Sequence, residues 1–71
     1  MKERIKALLE DAFPLVDVNA DFLFGELDSL GVTTVLMILS DEFGIKLDAS
    51  DATPRNLRSL DAIVKLGESK L

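Results

Sequence analysis

The sequence predicts a small all-α protein, a bundle of three main helices with one short additional helix and a long first loop. Three segments carry apolar residues at the three- and four-residue spacing of a helix, and residues that start or end helices flank them. The chain has 71 residues, of which 48% are hydrophobic, and no cysteine. A chain of this length forms one domain, so we expect residues 1–71 to be a single unit held together by packing.

The first predicted helix occupies the N-terminal segment. Its charged residues Glu3, Lys6 and Glu10 lie on the face opposite a set of apolar positions at helical spacing. Those apolar positions are Ile5, Leu8, Leu9, Ala12 and Phe13. Pro14 ends the helix, because proline lacks the backbone donor and clashes with the preceding turn.

A loop is predicted over residues 14–28, where apolar and acidic side chains mix around Gly25 without a sustained period. We expect its apolar residues to pack onto the core, with Phe22 and Phe24 as the anchors. Either ring could instead line a small ligand pocket, but the small size of the bundle favours the core.

The second predicted helix begins at Ser29 and ends before Gly44. The β-branched residues over 32–35 favour a strand, but the apolar residues that follow recur at steps of three and four, which is typical of a helix. The buried stripe is predicted to contain Val32, Val35, Leu36, Leu39 and Phe43.

The side of this helix opposite the stripe carries two large apolar residues, Leu30 and Met37. They are seven residues apart, so they lie nearly above one another, and Leu30 directly follows Ser29. The same side is predicted to include Thr34 and Asp41, with Thr33 and Ser40 at its edges. Single exposed apolar residues are ordinary, but a strip that begins beside Ser29 predicts a docking surface for a partner approaching that serine.

The last third of the chain begins with a predicted loop in which Ile45 and Leu47 turn inward. Thr53 followed by Pro54 is typical of a helix start, and it predicts a short helix through Leu57.

Ser59 is predicted to cap the final helix, with Asp61 well placed at its positive end. The apolar positions of this helix are Leu60, Ile63, Val64 and Leu66. Gly67 weakens its far end, so we expect residues 68–71 to fray.

Charge and hydropathy exclude several classes of partner. The acidic protein carries a net charge of −5, from 13 acidic and 8 basic side chains, which disfavours nucleic acid and anionic lipid. The N-terminal segment has charges on every turn, and the longest apolar run, residues 35–39, is too short to insert into a membrane. We therefore expect a cytoplasmic monomer with protein partners.

The chain also lacks the residues of ordinary catalytic and metal sites. It has no His, Cys, Tyr or Trp, so Ser29 has no obvious base to activate it, and we expect a substrate of another enzyme rather than an enzyme. Asp48, Ser50 and Asp51 are hard-cation ligands, but the glycine and closing Glu of an EF-hand loop do not follow. We expect no metal site beyond weak surface binding of calcium.

Ser29, between Asp28 and Leu30, has two interpretations. A serine after an aspartate at a helix start is ordinarily an N-cap. Alternatively, its hydroxyl is the attachment point of a phosphate-linked group, because free N–H groups and the helix dipole favour a phosphate there.

The order of these features resembles the acyl carrier protein family over essentially the whole chain. The similar features are a long amphipathic helix, an acidic loop, GELDSL before a second helix that ends in DEFGIKL, a short Thr-Pro helix and a last helix. Asp28-Ser29-Leu30 is similar to the family motif whose serine accepts 4'-phosphopantetheine from coenzyme A through a phosphodiester. The resemblance implies a four-helix bundle of acyl-carrier type that holds acyl groups as thioesters on the arm.

The resemblance also implies partners and a surface for them. The partners would be a phosphopantetheinyl transferase and enzymes that load or process acyl or aminoacyl groups. The helix after the serine faces partners in this family, which corresponds here to Leu30, Thr33, Thr34, Met37 and Asp41.

Departures from the family pattern keep three functions open. Thr34 and Ser40 occupy positions that are commonly acidic in carriers of bacterial fatty acid synthesis. The stretch GELDSLG is similar to the corresponding stretch of D-alanyl carrier proteins and other stand-alone aminoacyl carriers. An acyl carrier of fatty acid or related lipid biosynthesis, a stand-alone aminoacyl carrier of D-alanyl or peptidyl type, and a protein-binding module without a prosthetic group all remain. Any attached chain is expected to contact the second helix and the loop around Ile45 and Leu47.

Overall fold

Three α-helices form the architecture of the computed structural model, which describes residues 2–71. They are α1 (Lys2–Ala12), α2 (Ser29–Phe43) and α3 (Leu60–Ser69). Two short 3₁₀ turns, Leu23–Glu26 and Ala49–Asp51, lie in the connections, and residues 2–71 contain no strand. The predicted all-α class with three main helices is confirmed.

The helices pack in pairs around one apolar core. Its most deeply buried side chains are Ile5, Leu9, Leu23, Val35, Leu39, Leu57 and Ile63. No polar or charged side chain is buried among residues 2–71. Burial of each large apolar side chain contributes about 1.5–3 kcal/mol, so packing is the main source of stability.

Three members of the predicted stripes lie outside the core. Ala12 at the end of α1 is exposed, and Leu8 of α1 and Leu36 of α2 are only partly buried. Ile38 packs against the core together with Val32 and Phe43. The core-facing side of α2 is therefore wider and slightly rotated relative to the predicted stripe.

The predicted short helix from Thr53 to Leu57 is wrong, because these residues form a single turn. The Leu57 N–H donates to the Thr53 C=O at 3.0 Å, and the Thr53 hydroxyl accepts from the Asn56 N–H at 3.0 Å. The helix-start signal is real, but Ser59 adopts an extended backbone (φ −150°, ψ 171°) to cap α3, which stops propagation after one turn.

The first loop uses different anchors from those predicted. Val18 and Leu23 are buried, and Phe24 is partly buried against the core, whereas Phe22 is 49% exposed. The prediction for Phe22 is therefore wrong. Its ring instead lies 5.7 Å from the guanidinium carbon of Arg58, a cation–π contact at the surface. The Leu23 N–H also donates to the Arg58 C=O at 2.6 Å, which ties the two connections together.

The ends of α2 and α3 follow the predicted signals with one exception. Gly44 ends α2 in the left-handed region (φ 63°, ψ 35°), and the Ser59 hydroxyl accepts from the Ala62 N–H at 3.3 Å. The prediction that residues 68–71 fray is wrong for Glu68 and Ser69, which are helical, whereas Lys70 and Leu71 lie beyond the end of α3. The Ser69 hydroxyl donates to the Leu66 C=O at 2.7 Å and supports that last turn.

Every helix over residues 2–71 is too short or too polar to cross a bilayer.

Candidate functional site

Asp28 caps the N-terminus of α2. Its backbone is extended (φ −90°, ψ −177°), its Oδ1 accepts from the Gly31 N–H at 2.7 Å, and its C=O accepts from the Val32 N–H at 2.9 Å. These contacts define an N-cap residue. The interpretation of Ser29 as the cap is therefore wrong, and Ser29 is the first residue inside the helix.

The Ser29 side chain has no structural partner. Ser29 is exposed, and its C=O accepts from the Thr33 hydroxyl at 3.1 Å, but its Oγ forms none of the hydrogen bonds found within residues 2–71. The hydroxyl stands at the positive end of a helix of 15 residues, where a phosphate ester on Oγ would be stabilised by the helix dipole.

Close packing holds the backbone under Ser29 in place. Gly31 is buried, and a Cβ atom there would lie 3.3 Å from Asp28 Oδ1, 3.4 Å from a methyl carbon of Leu27 and 3.4 Å from the Phe13 ring. Such distances are tighter than ordinary contacts or at their limit, so only a glycine fits there without displacing a neighbour. The first turn of α2 is thus seated against the loop and the end of α1.

The outer side of α2 carries most of the residues predicted to face partners. Leu30 is 73% exposed and Met37 is 61% exposed. Thr33 and Asp41 are also exposed, whereas Thr34 is half-buried. These residues extend along the helix from the position next to Ser29.

An ion pair between α1 and α2 occupies one of the two carboxylates at the end of α2. Arg4 Nε donates to Glu42 Oε1 at 2.9 Å, and this hydrogen bond raises the pKa of the Arg4 guanidinium above its ordinary value. The sequence gives no signal of this pair, because 38 positions separate the two residues. Asp41 is left as the other carboxylate there.

Asp48, Ser50 and Asp51 form a capping box around the second 3₁₀ turn. The Asp48 carboxylate accepts from the Ser50 N–H and hydroxyl, and the Asp51 carboxylate accepts from the Asp48 N–H at 3.1 Å. Asp51 also forms an ion pair with Lys70 at 3.2 Å. Residues 2–71 contain no group of three or more His, Cys, Asp or Glu side chains placed to hold a metal ion.

Two open depressions lie on the surface away from α2. One, of about 290 Å³, lies between the first loop and the start of α3, and the other, of about 370 Å³, lies between α3 and the turn after Thr53. Neither is lined by Ser29, Phe22 or Phe24.

The chain matches one known protein family over most of its length. Residues 3–66 match the family described as the phosphopantetheine attachment site, which is the domain of acyl carrier proteins and related carriers. The chain belongs to this family. Its carrier domains are non-catalytic, hold 4'-phosphopantetheine covalently and are modified by a phosphopantetheinyl transferase. No curated protein and no solved structure gives a significant match to the chain.

The family match confirms the resemblance stated from the sequence, and 4'-phosphopantetheine is the cofactor of the family. The start of α2 fits that group. It offers an exposed serine oxygen, a helix N-terminus for the phosphodiester and a cap that is independent of the serine.

Proposed function

We propose that Ser29 carries 4'-phosphopantetheine and that the chain is an acyl carrier protein. It would hold acyl intermediates as thioesters on the arm and deliver them to enzymes of fatty acid or related lipid biosynthesis. One observation carries the assignment to Ser29: Asp28 performs the capping role that would otherwise account for a serine at this position. We take residues 1–71 as one carrier domain of the family.

Each residue of the motif has its own role in this proposal. Asp28 keeps the first turn of α2 closed, so the Ser29 hydroxyl remains available. The phosphodiester on Ser29 Oγ lies at the helix N-terminus, whose dipole stabilises its negative charge. The arm supplies the thiol, since the chain has no cysteine, and the transferase supplies the base that takes the Ser29 proton, since the chain has no histidine.

Partner enzymes would approach the outer side of α2. The transferase and the acyl-loading or acyl-processing enzymes must all reach Ser29 or the arm attached to it. The surface beside that position consists of Leu30, Thr33, Thr34, Met37 and Asp41, and it would be covered in each encounter.

A stand-alone aminoacyl carrier, of D-alanyl or peptidyl type, is the second candidate. It is favoured by the absence of charged residues from position 29 to 40 and by the pairing of Glu42 with Arg4, which leave few carboxylates on α2. The two candidates differ in the enzymes that load the arm. Incubation of the modified protein with acyl-loading enzymes and with amino-acid adenylating enzymes, followed by intact mass measurement, distinguishes them.

The attachment itself is tested by intact mass spectrometry. The purified protein is measured before and after incubation with coenzyme A and a promiscuous phosphopantetheinyl transferase. We expect a gain of one phosphopantetheine on the wild type and on Ser40→Ala, and no gain on Ser29→Ala. Ser40 is the matched control, because it lies on the same helix and its substitution also removes a serine hydroxyl.

Two results would contradict the proposal. If the Ser29→Ala variant were still modified, the attachment site would be another residue. No gain on the wild type with several transferases would favour a module that binds partners through Leu30 and Met37 without a prosthetic group.

A further inference from the structure

We propose that enzymes acting at Ser29 dock on α2 through an uncharged, largely apolar surface, and that charge attraction contributes little to this docking. The surface, named the α2 strip, consists of Leu30, Thr33, Thr34 and Met37. This inference rests on the proposed function, because it concerns the enzymes that must reach Ser29.

The first observation is the absence of charge along most of α2. Charged residues make up 30% of the chain, but residues 29–40 contain none. A helix at the surface of a globular protein normally places charged side chains on its solvent side. On α2 that side instead presents Leu30 at 73% exposure and Met37 at 61%.

The second observation concerns the two threonines between these residues. The Thr33 hydroxyl donates to the Ser29 C=O at 3.1 Å, and the Thr34 hydroxyl donates to the Leu30 C=O at 2.9 Å. Because both hydrogens are used by the helix itself, neither threonine needs an acceptor from a partner. The methyl groups add apolar surface between Leu30 and Met37.

The carboxylates nearest the strip are at its ends. Glu42 is held by Arg4 at 2.9 Å, and its side chain is only 27% exposed. Asp41 is exposed and lies one helical turn beyond Met37, about 6 Å along the helix at 1.5 Å per residue, so it marks the far end of the strip. At the other end, the Asp28 carboxylate is engaged by the Gly31 N–H. A partner that covers Ser29 and the strip therefore meets little negative charge between these ends.

These features define the partner surface that fits. A basic patch placed over the strip would lose hydration without gaining a counter-charge, whereas an apolar patch gains from burial of Leu30 and Met37. Methionine also adapts its shape to different partners, which suits a surface that several enzymes must use in turn. The complementary surface is therefore an uncharged apolar patch beside the entrance to the enzyme's active site.

The test uses the transferase as the probe enzyme, with coenzyme A as the co-substrate. We expect Met37→Ser to lower kcat/KM for modification of the protein about tenfold, because a central apolar contact is lost. The matched control is Leu15→Ser, which makes a comparable apolar-to-polar change at a residue that is 98% exposed and remote in sequence from α2. It should leave kcat/KM within about twofold of the wild type.

Salt dependence tests the role of charge directly. Raising sodium chloride from about 50 mM to about 500 mM shortens the Debye length severalfold, yet we expect the wild-type kcat/KM to change by less than about threefold. Circular dichroism of each variant checks that the helices are retained.

Several outcomes would overturn the inference. They are a loss of tenfold or more at high salt, a normal rate for Met37→Ser, or a larger loss for Asp41→Asn than for Met37→Ser. A wild-type protein that no transferase modifies would contradict the proposed function itself, and the inference with it.

Discussion

Asp28 and Ser29 divide two roles that a single residue can hold at the start of a helix. The aspartate side chain accepts the Gly31 N–H at 2.7 Å and closes the first turn, whereas the serine side chain points to solvent without a partner among residues 2–71. A serine that capped the helix would hold its oxygen against a backbone N–H. The division leaves the hydroxyl free to be esterified without cost to the helix.

The division predicts different stability effects for two neighbouring alanine substitutions. Asp28→Ala should lower the free energy of unfolding by about 1 kcal/mol, because the capping bond is lost. Ser29→Ala should change it by less than about 0.5 kcal/mol, since an exposed group without a bond is removed. Urea unfolding followed by circular dichroism measures both, and Asp28→Asn, which retains a capping oxygen, is the control. An equal loss for both alanine variants would show that Ser29 shares the capping role.

We expect the Asp48 carboxyl to cause part of the pH dependence of the protein's stability. The hydrogen bond from the Ser50 hydroxyl is the main cause that lowers the pKa of the Asp48 carboxyl below its ordinary value of 3.8. A lowered pKa means that the carboxylate stabilises the fold above the ordinary value. That contribution is lost as the pH falls below 3.8 through the lowered pKa.

We therefore expect Asp48→Asn to show a shallower loss of stability below about pH 4 than the wild type. Asparagine still accepts the Ser50 N–H, so the two proteins should differ little at neutral pH. Urea midpoints across the acid range measure the slope, and Ser50→Ala should reproduce part of the effect. A slope equal to that of the wild type would remove Asp48 as a source of the pH dependence. Asp61, whose pKa is lowered by its hydrogen bond with Lys2, should keep its own contribution.

At the scale of elements, α2 and α3 meet at a glycine. Gly67 is buried in α3, and a Cβ atom there would lie 2.5 Å and 2.9 Å from two ring carbons of Phe43. Phe43, near the end of α2, packs against the core, so its ring cannot withdraw without losing that contact. The glycine that weakens a helix by propensity here permits the close approach of two helices.

Gly67→Ala therefore sets two effects against each other. Alanine gains about 1 kcal/mol in helix propensity, and overpacking costs about 1–3 kcal/mol. Because the clash involves a packed ring, we expect overpacking to win and the free energy of unfolding to fall by about 1 kcal/mol. In a Phe43→Leu background the same substitution should be neutral or stabilising, since the ring is gone. Equal effects in the two backgrounds would show that the contact does not limit residue 67.

The periodicity of the sequence predicts the three helices, and their boundary residues were identified where capping chemistry is local. Ser59, Gly44 and Pro14 act within a few residues of themselves, so their roles can be inferred from the order of residues alone. The sequence alone could not decide whether Asp28 or Ser29 is the cap, because both residue types cap helices equally well.

Tertiary contacts account for most of the remaining differences. Phe22 and Phe24 are alike in sequence, and the Arg58 guanidinium beside Phe22 belongs to a distant connection. The Arg4–Glu42 pair likewise depends on how α1 lies against α2. The family and its attachment motif were inferred from the sequence. The neutral character of the α2 strip could be inferred only from the structure, which shows the threonine hydrogen bonds and the Arg4–Glu42 ion pair.

At the scale of the whole molecule, the small core limits where an acyl chain can go. In a protein of this size a single core rarely supplies more than about 3–5 kcal/mol of stability, so displacement of even one central side chain is costly. Ile5, Leu9 and Ile63, between α1 and α3, have at most 1% exposure. Leu36, in the middle of α2, and Ile45 and Leu47, in the loop after it, are only partly buried and therefore cheaper to move.

This difference predicts the path of an attached chain. We expect an acyl group on the Ser29 arm to lie along α2 and to contact the loop around Ile45 and Leu47, because separating these elements exposes less of the packed core. The measurement compares amide shifts and nuclear Overhauser contacts of the loaded and unloaded arm-bearing forms. Changes should concentrate in α2 and residues 45–47 and increase with chain length, since each added methylene gains about 0.8 kcal/mol only where it is buried. Contacts with Ile5 or Ile63 instead, or no change around residues 45–47, would show that the chain enters between α1 and α3 or remains in solvent.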